Sequence, residues 1–466
     1  MALGRAFSLI TFPIIARQLS VADYGTLDLF LVVSGFFVTL MVFGQDSAVG
    51  RLYYEHESLA QRRQLVSQSL LIQFIVCLIA SGLLLFVSRQ AGSLLSSSDR
   101  ATQYMQLIVA QLPFMVAINF SQNILKWTFA RRSFLIMSIG YAAVQALILL
   151  GVAIFVSLDI EVTLLIILLT NCIFGGLGLY LVRQWLVVPR VSNYVNDLLR
   201  FAIPIGFVCV LGAAVSMLER QLIENLLGAD GLGFYAAGAK VAMLLALAVG
   251  AFQTAWGPFS TSIHKAADAS RTYNAVLAIF ALAVCILVML LDAVANPLLT
   301  LLASERYANA TVVVFPLAMG LAIQAISWIT EVGIGLSKRT AYLIYPHALF
   351  IVALTGAMMF LVPICGLLGA ALSMLMAQIV RSLLASYLAQ RIYPLTWDYA
   401  WVFLVVICTI VTGLIARIVV EPLAGFWAVL ATYLFSIICL SVLFCWRRLN
   451  VQVTRQVLRL LGIFKN

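Results

Sequence analysis

The chain of 466 residues has little charge: Asp, Glu, Lys and Arg make up 10% of it, whereas 64% of the residues are hydrophobic. This balance excludes an ordinary soluble domain, in which about a quarter of the residues are charged. The sequence also has only three histidines, and none of its eight cysteines forms a Cys-x-x-Cys pair. We therefore predict no metal site, no disulfide framework and no cofactor.

The hydrophobic residues of the chain form long runs. About 20 apolar residues cross a bilayer as a helix, in which every backbone group is paired. The runs are continuous and do not alternate with polar residues, which favours helices over a barrel. We predict an all-α integral membrane protein with about fourteen transmembrane helices. The predicted spans are residues 2–19, 24–49, 65–88, 104–128, 134–157, 160–187, 198–226, 232–262, 273–294, 308–334, 340–363, 366–391, 398–419 and 425–446.

Basic residues concentrate in alternate connections between these spans. Arg62 and Arg63 precede the third span, Arg131 and Arg132 precede the fifth, and a basic tail occupies residues 447–466. Because cytoplasmic connections are enriched in Lys and Arg, both termini are predicted to be cytoplasmic. The scatter of basic residues over short connections accounts for the net charge of +10 without nucleic-acid binding.

Two stretches 208 residues apart have the same organisation. RQLSVADYGTLDLF follows the first span and NLLGADGLGFYAAG follows the seventh, so that Gly25 aligns with Gly233. Each stretch is a helix exit, a short polar turn and a long helix, which is typical of transporters built from repeats, with the site between the halves. We predict one six-helix lobe at 1–190, a second at 191–392, and two extra helices with the basic tail at 393–466.

The same offset bears on the beginning of the chain. It aligns Met1 with Cys209, which lies well inside the seventh span. The first span would then lack the equivalent of its opening turns. We therefore expect the natural protein to start upstream of Met1.

Charged residues inside the spans are the main candidates for function, because each costs about 2.5–3.5 kcal/mol at the centre of a bilayer. On the seventh span, small residues and Arg220 recur at helical spacing, whereas Glu219 lies about 100° away and is expected to pair with a neighbouring helix. This stripe consists of Gly206, Cys209, Ala213, Ser216 and Arg220.

Acidic residues occupy a stripe on the second span. Asp28 and Asp46 share one face there, and the repeat offset aligns Val32 of that face with Lys240 of the eighth span, so that the matching faces carry acids in one half and a lysine in the other. Glu331 lies in the tenth span. Asp28, Asp46, Glu219 and Glu331 are candidates for coupling to a proton or sodium gradient; alternatively, they pair with neighbouring Arg or Lys side chains.

Further polar residues could contact a substrate. Asn119, Gln122 and Lys126 share a face of the fourth span, and Arg381 lies in the twelfth. A structural role is equally compatible with these positions, because amides bond between helices and long basic side chains reach to the interface. Arg17 and Arg51 lie near helix ends.

Basic groups in a cavity suit an anionic substrate, because Arg matches phosphate in bidentate fashion and Lys adds a point charge. Neutral polar groups such as Asn119, Gln122 and Ser216 suit hydroxyl groups. Together they point to a sugar phosphate or a lipid diphosphate. The short connections and the absence of a convincing catalytic constellation argue against an enzyme.

Two stretches, FPIIARQLSVADYGTLDL and ERQLIENLLGADGLGFYAAGAKVAMLLALAVGAFQTAWGPF, carry a family resemblance. With the fourteen-span layout, they resemble the polysaccharide transporter family, the Wzx-type O-antigen flippases of the multidrug/oligosaccharidyl-lipid/polysaccharide exporter superfamily. That family commonly has Asp-Arg where this chain has Glu219-Arg220.

The resemblance implies a V-shaped bundle of two six-helix lobes in the bacterial inner membrane. It implies alternating-access transfer of undecaprenyl-diphosphate-linked oligosaccharide from the cytoplasmic to the periplasmic leaflet, with membrane lipids and a surface-polysaccharide polymerase as partners. Arg220 and Lys240 would engage the diphosphate, with Arg17, Arg51 and Lys126 as further candidates. The alternative is a multidrug or organic-cation antiporter of the same superfamily, which should have a more acidic cavity.

Overall fold

The computed structural model of the protein describes residues 11–55, 57–96, 98–189, 194–266, 268–337 and 339–446. Every regular element in these ranges is helical, which confirms the predicted all-α class. Ten helices among these residues are long and apolar enough to cross a membrane. The chain is thus a multi-pass membrane protein, whereas the count of fourteen spans stays a prediction. The first span is described only from residue 11, and the basic tail at 447–466 lies outside the described residues.

The helices follow one another with short connections. Their bounds are α1 (residues 11–18), α2 (Val21–Val42), α3 (Gln45–Glu55), α4 (Leu59–Phe86), α5 (Ser88–Leu95), α6 (Ala101–Trp127), α7 (Arg131–Phe155), α8 (Ile160–Val182), α9 (Tyr194–Ile263), α10 (Ala269–Ala293), α11 (Ala295–Leu302), α12 (Thr311–Thr330), α13 (Val332–Leu336), α14 (Ile344–Ile392), α15 (Tyr399–Ile415) and α16 (Glu421–Trp446). Short 3₁₀ turns lie at Arg183–Trp185, Glu305–Ala310 and Thr340–Leu343.

Two helices are far longer than a bilayer is thick, and each is broken by a glycine. The 70 residues of α9 would measure about 105 Å as one straight helix, against a hydrocarbon core of about 30 Å. The break falls at Gly228, whose φ of 72° and ψ of −178° favour glycine. Gly366 breaks α14 with a φ of 56°. Gly228 lies between two predicted spans and Gly366 is the first residue of the twelfth, so each helix consists of two arms.

The second predicted span is also interrupted. It was expected to be one continuous helix at 24–49, but α2 ends at Val42 and α3 begins at Gln45. Phe43 and Gly44 adopt left-handed conformations with φ of 44° and 72°. Because the break changes the direction of the side chains beyond it, the prediction that Asp28 and Asp46 share one helical face is wrong.

The chain divides into two compact units with a boundary between Ala236 and Ala237. The first arm of α9 and the start of its second arm therefore belong to the first unit. The predicted lobe limits at residues 190/191 and 392/393 stay predictions.

In the first unit, α9 packs on α2 so closely that the contacts admit no side chain. A Cβ atom added to Gly206 would lie 2.6 Å from the carbonyl oxygen of Phe43. A Cβ added to Gly25 would lie 2.5 Å from the amide nitrogen of Gly233 and 3.0 Å from its Cα. All three distances are below van der Waals contact, so glycine is required at both positions. Gly25 and Gly233, which the repeat aligns with each other, are thus in direct backbone contact.

In the second unit, a buried ionic network attaches the last two helices to α10. The side chain of Asp292 has no exposed surface. Arg417, just after α15, donates to both carboxylate oxygens of Asp292 at 2.8 Å and to its backbone carbonyl at 2.7 Å. The hydroxyl of Tyr433 on α16 donates to the same carboxylate at 2.5 Å. One aspartate therefore binds groups on both C-terminal helices.

Candidate functional site

A buried acid–base cluster in the first unit brings together three of the predicted site residues. The Nε of Arg220 lies 3.0 Å from Asp28 Oδ2, and its Nη1 lies 2.5 Å from Glu219 Oε2. The hydroxyl of Tyr235 donates to the other oxygen of Glu219. The Tyr235 ring also lies beneath the guanidinium, with 5.1 Å between Cζ and the ring centroid. We call these four residues the Arg220 cluster.

Three helical segments position the Arg220 cluster. Asp28 lies about two turns into α2, and the first arm of α9 runs antiparallel to α2, as the contacts at Gly44 and at Asp28 show. The break at Gly228 reverses the chain, so that Tyr235 of the second arm returns to Glu219 only 16 positions earlier. The expected pairing of Glu219 with a neighbouring helix is thus found, with a tyrosine as the partner.

The electrostatics of the cluster are dominated by its burial. The side chains of Asp28, Glu219 and Arg220 are only 6%, 5% and 13% exposed. Two carboxylates share one guanidinium, so the formal charge is −1 when both acids are ionised. In this conformation a phosphate would have to compete with Asp28 or Glu219 for the donors of Arg220. Protonation of either carboxyl would weaken that competition, because a neutral carboxyl holds a guanidinium less strongly.

Removal of the tyrosine hydroxyl is expected to destabilise the first unit. Tyr235→Phe deletes the hydrogen bond to Glu219 and should cost about 1.5–3 kcal/mol, because the lost bond is to a buried charged group. The measurement is the apparent melting temperature of the purified protein in detergent. Tyr54→Phe is the matched control, because its exposed hydroxyl donates to the Trp127 carbonyl at 2.8 Å. Equal melting temperatures for the two variants would contradict this prediction.

A second acid–base pair lies in the second unit, between α12 and α14. Arg381 Nη2 is 3.6 Å from Glu331 Oε1, and both side chains are largely buried, at 5% and 12% exposure. The pair is longer than a hydrogen bond. Several buried polar atoms around it have no hydrogen-bond partner among the residues described here. They are Arg381 Nε and Nη1, Glu331 Oε2, Ser327 Oγ, Gln378 Nε2 and Ser382 Oγ.

The other predicted site residues differ in their burial and in their partners. In the first unit, Arg51 is exposed and pairs with Glu55 at 3.1 Å, and Asp46 accepts from the amide of Ser47 at 2.7 Å. Asn119 accepts from Asn123 at 3.0 Å. Gln122 is half-buried, whereas Arg17, Lys126 and Ser216 are exposed. Lys240 is half-buried in the second unit.

The predicted set omitted Tyr235, although it completes the cluster. It stands in the apolar stretch GFYAAG, where an aromatic residue is typical of a helix core. One feature of the sequence could have identified Tyr235, namely its position seven residues after Gly228. If the chain reverses direction at Gly228, Tyr235 lies beside Glu219 and Arg220 of the preceding arm. In the described ranges, no group of three His, Cys, Asp or Glu side chains could hold a metal ion.

Comparison with known proteins gives one family and one fold. A family model described as "Polysaccharide biosynthesis protein" matches residues 2–264, which is more than half of the chain and includes the whole Arg220 cluster. No curated protein matches the chain in sequence. The fold is similar to that of the lipid II flippase MurJ in an inward closed conformation, with a TM-score of 0.72 and 13% identity over 95% of this chain and 96% of that one.

Two further solved structures share the fold. One is an inward-facing multidrug resistance MATE family transporter of the MOP superfamily, with a TM-score of 0.67 and 14% identity over 84% of this chain and 94% of the other. The second is a MOP superfamily transporter from Pyrococcus furiosus, with a TM-score of 0.57 and 13% identity over 84% and 95%. At these identities the likeness is one of fold. All three proteins are named as flippases or transporters, and none as an enzyme.

Proposed function

The chain belongs to the polysaccharide biosynthesis protein family, and from this premise we propose that it is a lipid-linked oligosaccharide flippase. It moves an undecaprenyl-diphosphate-linked oligosaccharide, such as an O-antigen or other surface polysaccharide unit, from the cytoplasmic to the periplasmic leaflet of a bacterial inner membrane. The movement is by alternating access. Both termini lie in the cytoplasm, and a polysaccharide polymerase uses the exposed lipid.

The family match over residues 2–264 is the observation that carries this proposal. A polysaccharide biosynthesis protein that is a bundle of apolar helices is suited to moving a glycan on its lipid. Sugar hydroxyls and a diphosphate are costly to expose to hydrocarbon, so a protein must supply polar groups along their route. The similarity to a lipid II flippase supports the same class of substrate.

The Arg220 cluster supplies a means of exchanging an anion for a proton in this proposal. Arg220 binds a phosphate when Asp28 or Glu219 releases it, and protonation of that carboxyl favours release. Asp46 and Glu331 are further candidate coupling residues for a proton or sodium gradient. Lys240, Arg17, Arg51, Lys126 and Arg381 are candidate contacts for the diphosphate, and Asn119, Gln122 and Ser216 for the glycan.

Purified protein in liposomes tests the proposed function without interference from other flippases. The liposomes carry a fluorescent polyprenyl-diphosphate oligosaccharide, and a lectin added outside reports the fraction of the lipid in the outer leaflet over time. We expect wild-type protein to expose inner-leaflet lipid faster than empty liposomes do, because it offers the headgroup a polar route. Equal rates with and without protein, at matched lipid and protein recovery, would overturn the proposal.

A multidrug or organic-cation antiporter is the second candidate, and one observation favours it. The Arg220 cluster holds two carboxylates for one guanidinium, and Glu224 adds another buried carboxyl one turn further along α9. Such an excess of acid suits a cation or a proton. Cationic dyes in the same liposomes discriminate between the candidates. Dye export driven by a proton gradient, with no effect on the lipid, would support the antiporter.

A further inference from the structure

A buried carboxyl without a counter-ion lies near the end of the first arm of α9. Glu224 is only 7% exposed, and its Oε1 accepts from Ser96 Oγ at 3.4 Å. Its Oε2 is buried and has no hydrogen-bond partner among the residues described here. Because an ionised carboxyl is costly to bury alone, this group needs a positive charge beside it or a proton on it.

Gln221, one turn before Glu224 on the same face of the helix, contributes a second acceptor of this kind. Its Nε2 donates to the Leu94 and Leu95 carbonyls at 2.8 and 3.3 Å and to Asn225 Oδ1 at 3.2 Å. These three acceptors fix the orientation of the amide, because the reversed amide would place oxygen against oxygen. Its Oε1 is left buried without a hydrogen-bond partner in the described ranges. Two neighbouring side chains thus present acceptors that lack a donor.

The end of α5 makes the same place more negative. Leu94 and Leu95 are the last two residues of α5, so their carbonyls have no partner within that helix. The C-terminal end of a helix carries a partial negative charge and favours a cation. Ser96 follows directly, so Gln221 and Glu224 are fastened to consecutive residues of one segment. We call Ser96, Gln221 and Glu224 the Glu224 site.

In the described part of the chain, no basic side chain forms an ion pair with Glu224. Arg220, one turn earlier on α9, already binds two carboxylates in its own cluster. Arg100, which follows α5, lies 3.5 Å from Glu161. Further charged residues on the adjoining stretches of chain are exposed, namely Arg89, Asp99 and Asp230. The positive charge that Glu224 requires is therefore not supplied by these side chains.

We propose that the Glu224 site binds a monovalent cation, Na⁺ or H⁺. One carboxylate matches one positive charge, whereas a divalent ion would leave a net charge buried. Na⁺ is held by the free oxygens of Glu224 and Gln221, because carboxylate and carbonyl oxygens are the ligands of hard cations. A proton from the solvent instead forms an O–H bond to Glu224 Oε2, which donates to Gln221 Oε1, and no bond breaks. Ends of interrupted helices bind coupling cations in the same way in transporters.

Binding of radioactive Na⁺ to the purified full chain in detergent at neutral pH tests the site. Glu224→Gln keeps the size of the side chain and removes its charge, so it should weaken Na⁺ binding about tenfold or more. Gln221→Met removes the amide oxygen and should weaken binding as well. Glu161→Gln is the matched control and should stay within about twofold of wild type, because that carboxyl is 42% exposed. Melting temperatures establish that the variants are folded.

Infrared spectroscopy of the same proteins in sodium-free buffer distinguishes the two cations. Na⁺ binding that Glu224→Gln loses and Glu161→Gln keeps identifies sodium. Without Na⁺ binding, a band of a protonated carboxyl that is present in wild type and absent from Glu224→Gln identifies a proton. Gln221→Met should then shift this band, because the acceptor of its hydrogen bond is lost. A wild type with neither signal has an ionised Glu224 and no cation, which overturns the proposal.

The inference goes beyond the proposed function, because Glu224 is not among its coupling residues and the site does not depend on which substrate is carried. The liposome assay keeps the two apart. Lipid exposure by a wild type that shows neither cation signal removes the Glu224 site and leaves the flippase. Cation binding at Glu224 by a wild type that exposes no lipid removes the flippase and leaves the site.

Discussion

Arg220→Ala is expected to abolish lipid exposure in the liposome assay and to lower the free energy of unfolding by about 3–5 kcal/mol. The reason is that two carboxylates, Asp28 and Glu219, are left buried without their shared cation. The family resemblance implied a direct contact between Arg220 and the diphosphate of the substrate, with no structural role for this residue. The geometry revises that expectation, because Arg220 is also the counter-ion of the buried carboxylates of Asp28 and Glu219. Yield and melting temperature in detergent, together with lipid exposure, measure the two effects.

A compensated variant separates the structural role of the cluster from its role in transport. Arg220→Met with Asp28→Asn and Glu219→Gln removes all three charges at nearly constant volume, and such replacements are often neutral for stability. We expect this triple variant to melt near the wild-type temperature and to expose no lipid. Normal lipid exposure by the triple variant would contradict a role of these charges in transport. Arg131→Ala, at an exposed position after α6, is the control for loss of a positive charge.

Arg417→Ala is expected to have the largest effect on the second unit, again about 3–5 kcal/mol. Asp292 would lose three of the hydrogen bonds that Arg417 donates to its carboxylate and carbonyl, and Tyr433 alone cannot neutralise its charge. Because the same aspartate holds groups from both C-terminal helices, α15 and α16 should loosen from α10. Limited proteolysis after α14 and the apparent melting temperature measure this loosening.

The double variant Asp292→Leu with Arg417→Met is the control for that interpretation. It removes both charges and leaves no buried ion without a partner, so its stability should be near that of the wild type. A single Arg417→Ala variant that melts and resists protease as the wild type does would show that the network contributes little. A double variant as unstable as the single one would assign the effect to packing.

The helices could be predicted from the sequence because their apolar runs are long and local. The same holds for the break at Gly228, which falls between two predicted spans, and for the break at Gly366, the first residue of the twelfth. The break at Phe43 and Gly44 was not predicted, because a glycine followed by Gln45 and Asp46 is also compatible with a helix that continues to residue 49. The structure adds that Gly44 lies against the backbone of Gly206, a contact 162 positions away that no local pattern reports.

The sequence predicted several residues of the candidate site, but it did not predict which of them contact one another. Asp28 and Arg220 each stand out as charges in apolar helices, yet 192 positions separate them and no periodicity pairs them. Asp292 and Arg417 are 125 positions apart, and each lies near the end of its span, where a charge is ordinary. Helix packing decides which charged side chains pair with each other. Each helix has several faces that could contact several neighbouring helices, so the sequence alone does not determine the pairs.

The contact between Gly25 and Gly233 has an evolutionary consequence if the predicted repeat is a true duplication. If the two halves arose by duplication of a half-length gene, the ancestor was a dimer, and a residue that meets its own copy lay on the twofold axis of that dimer. In such a dimer a single codon specifies both glycines of the contact, so any mutation of it changes both sides of the contact together. Neither position has room for a methyl group in the present protein. Under the duplication hypothesis, this steric constraint would have kept both positions glycine after fusion had given each its own codon.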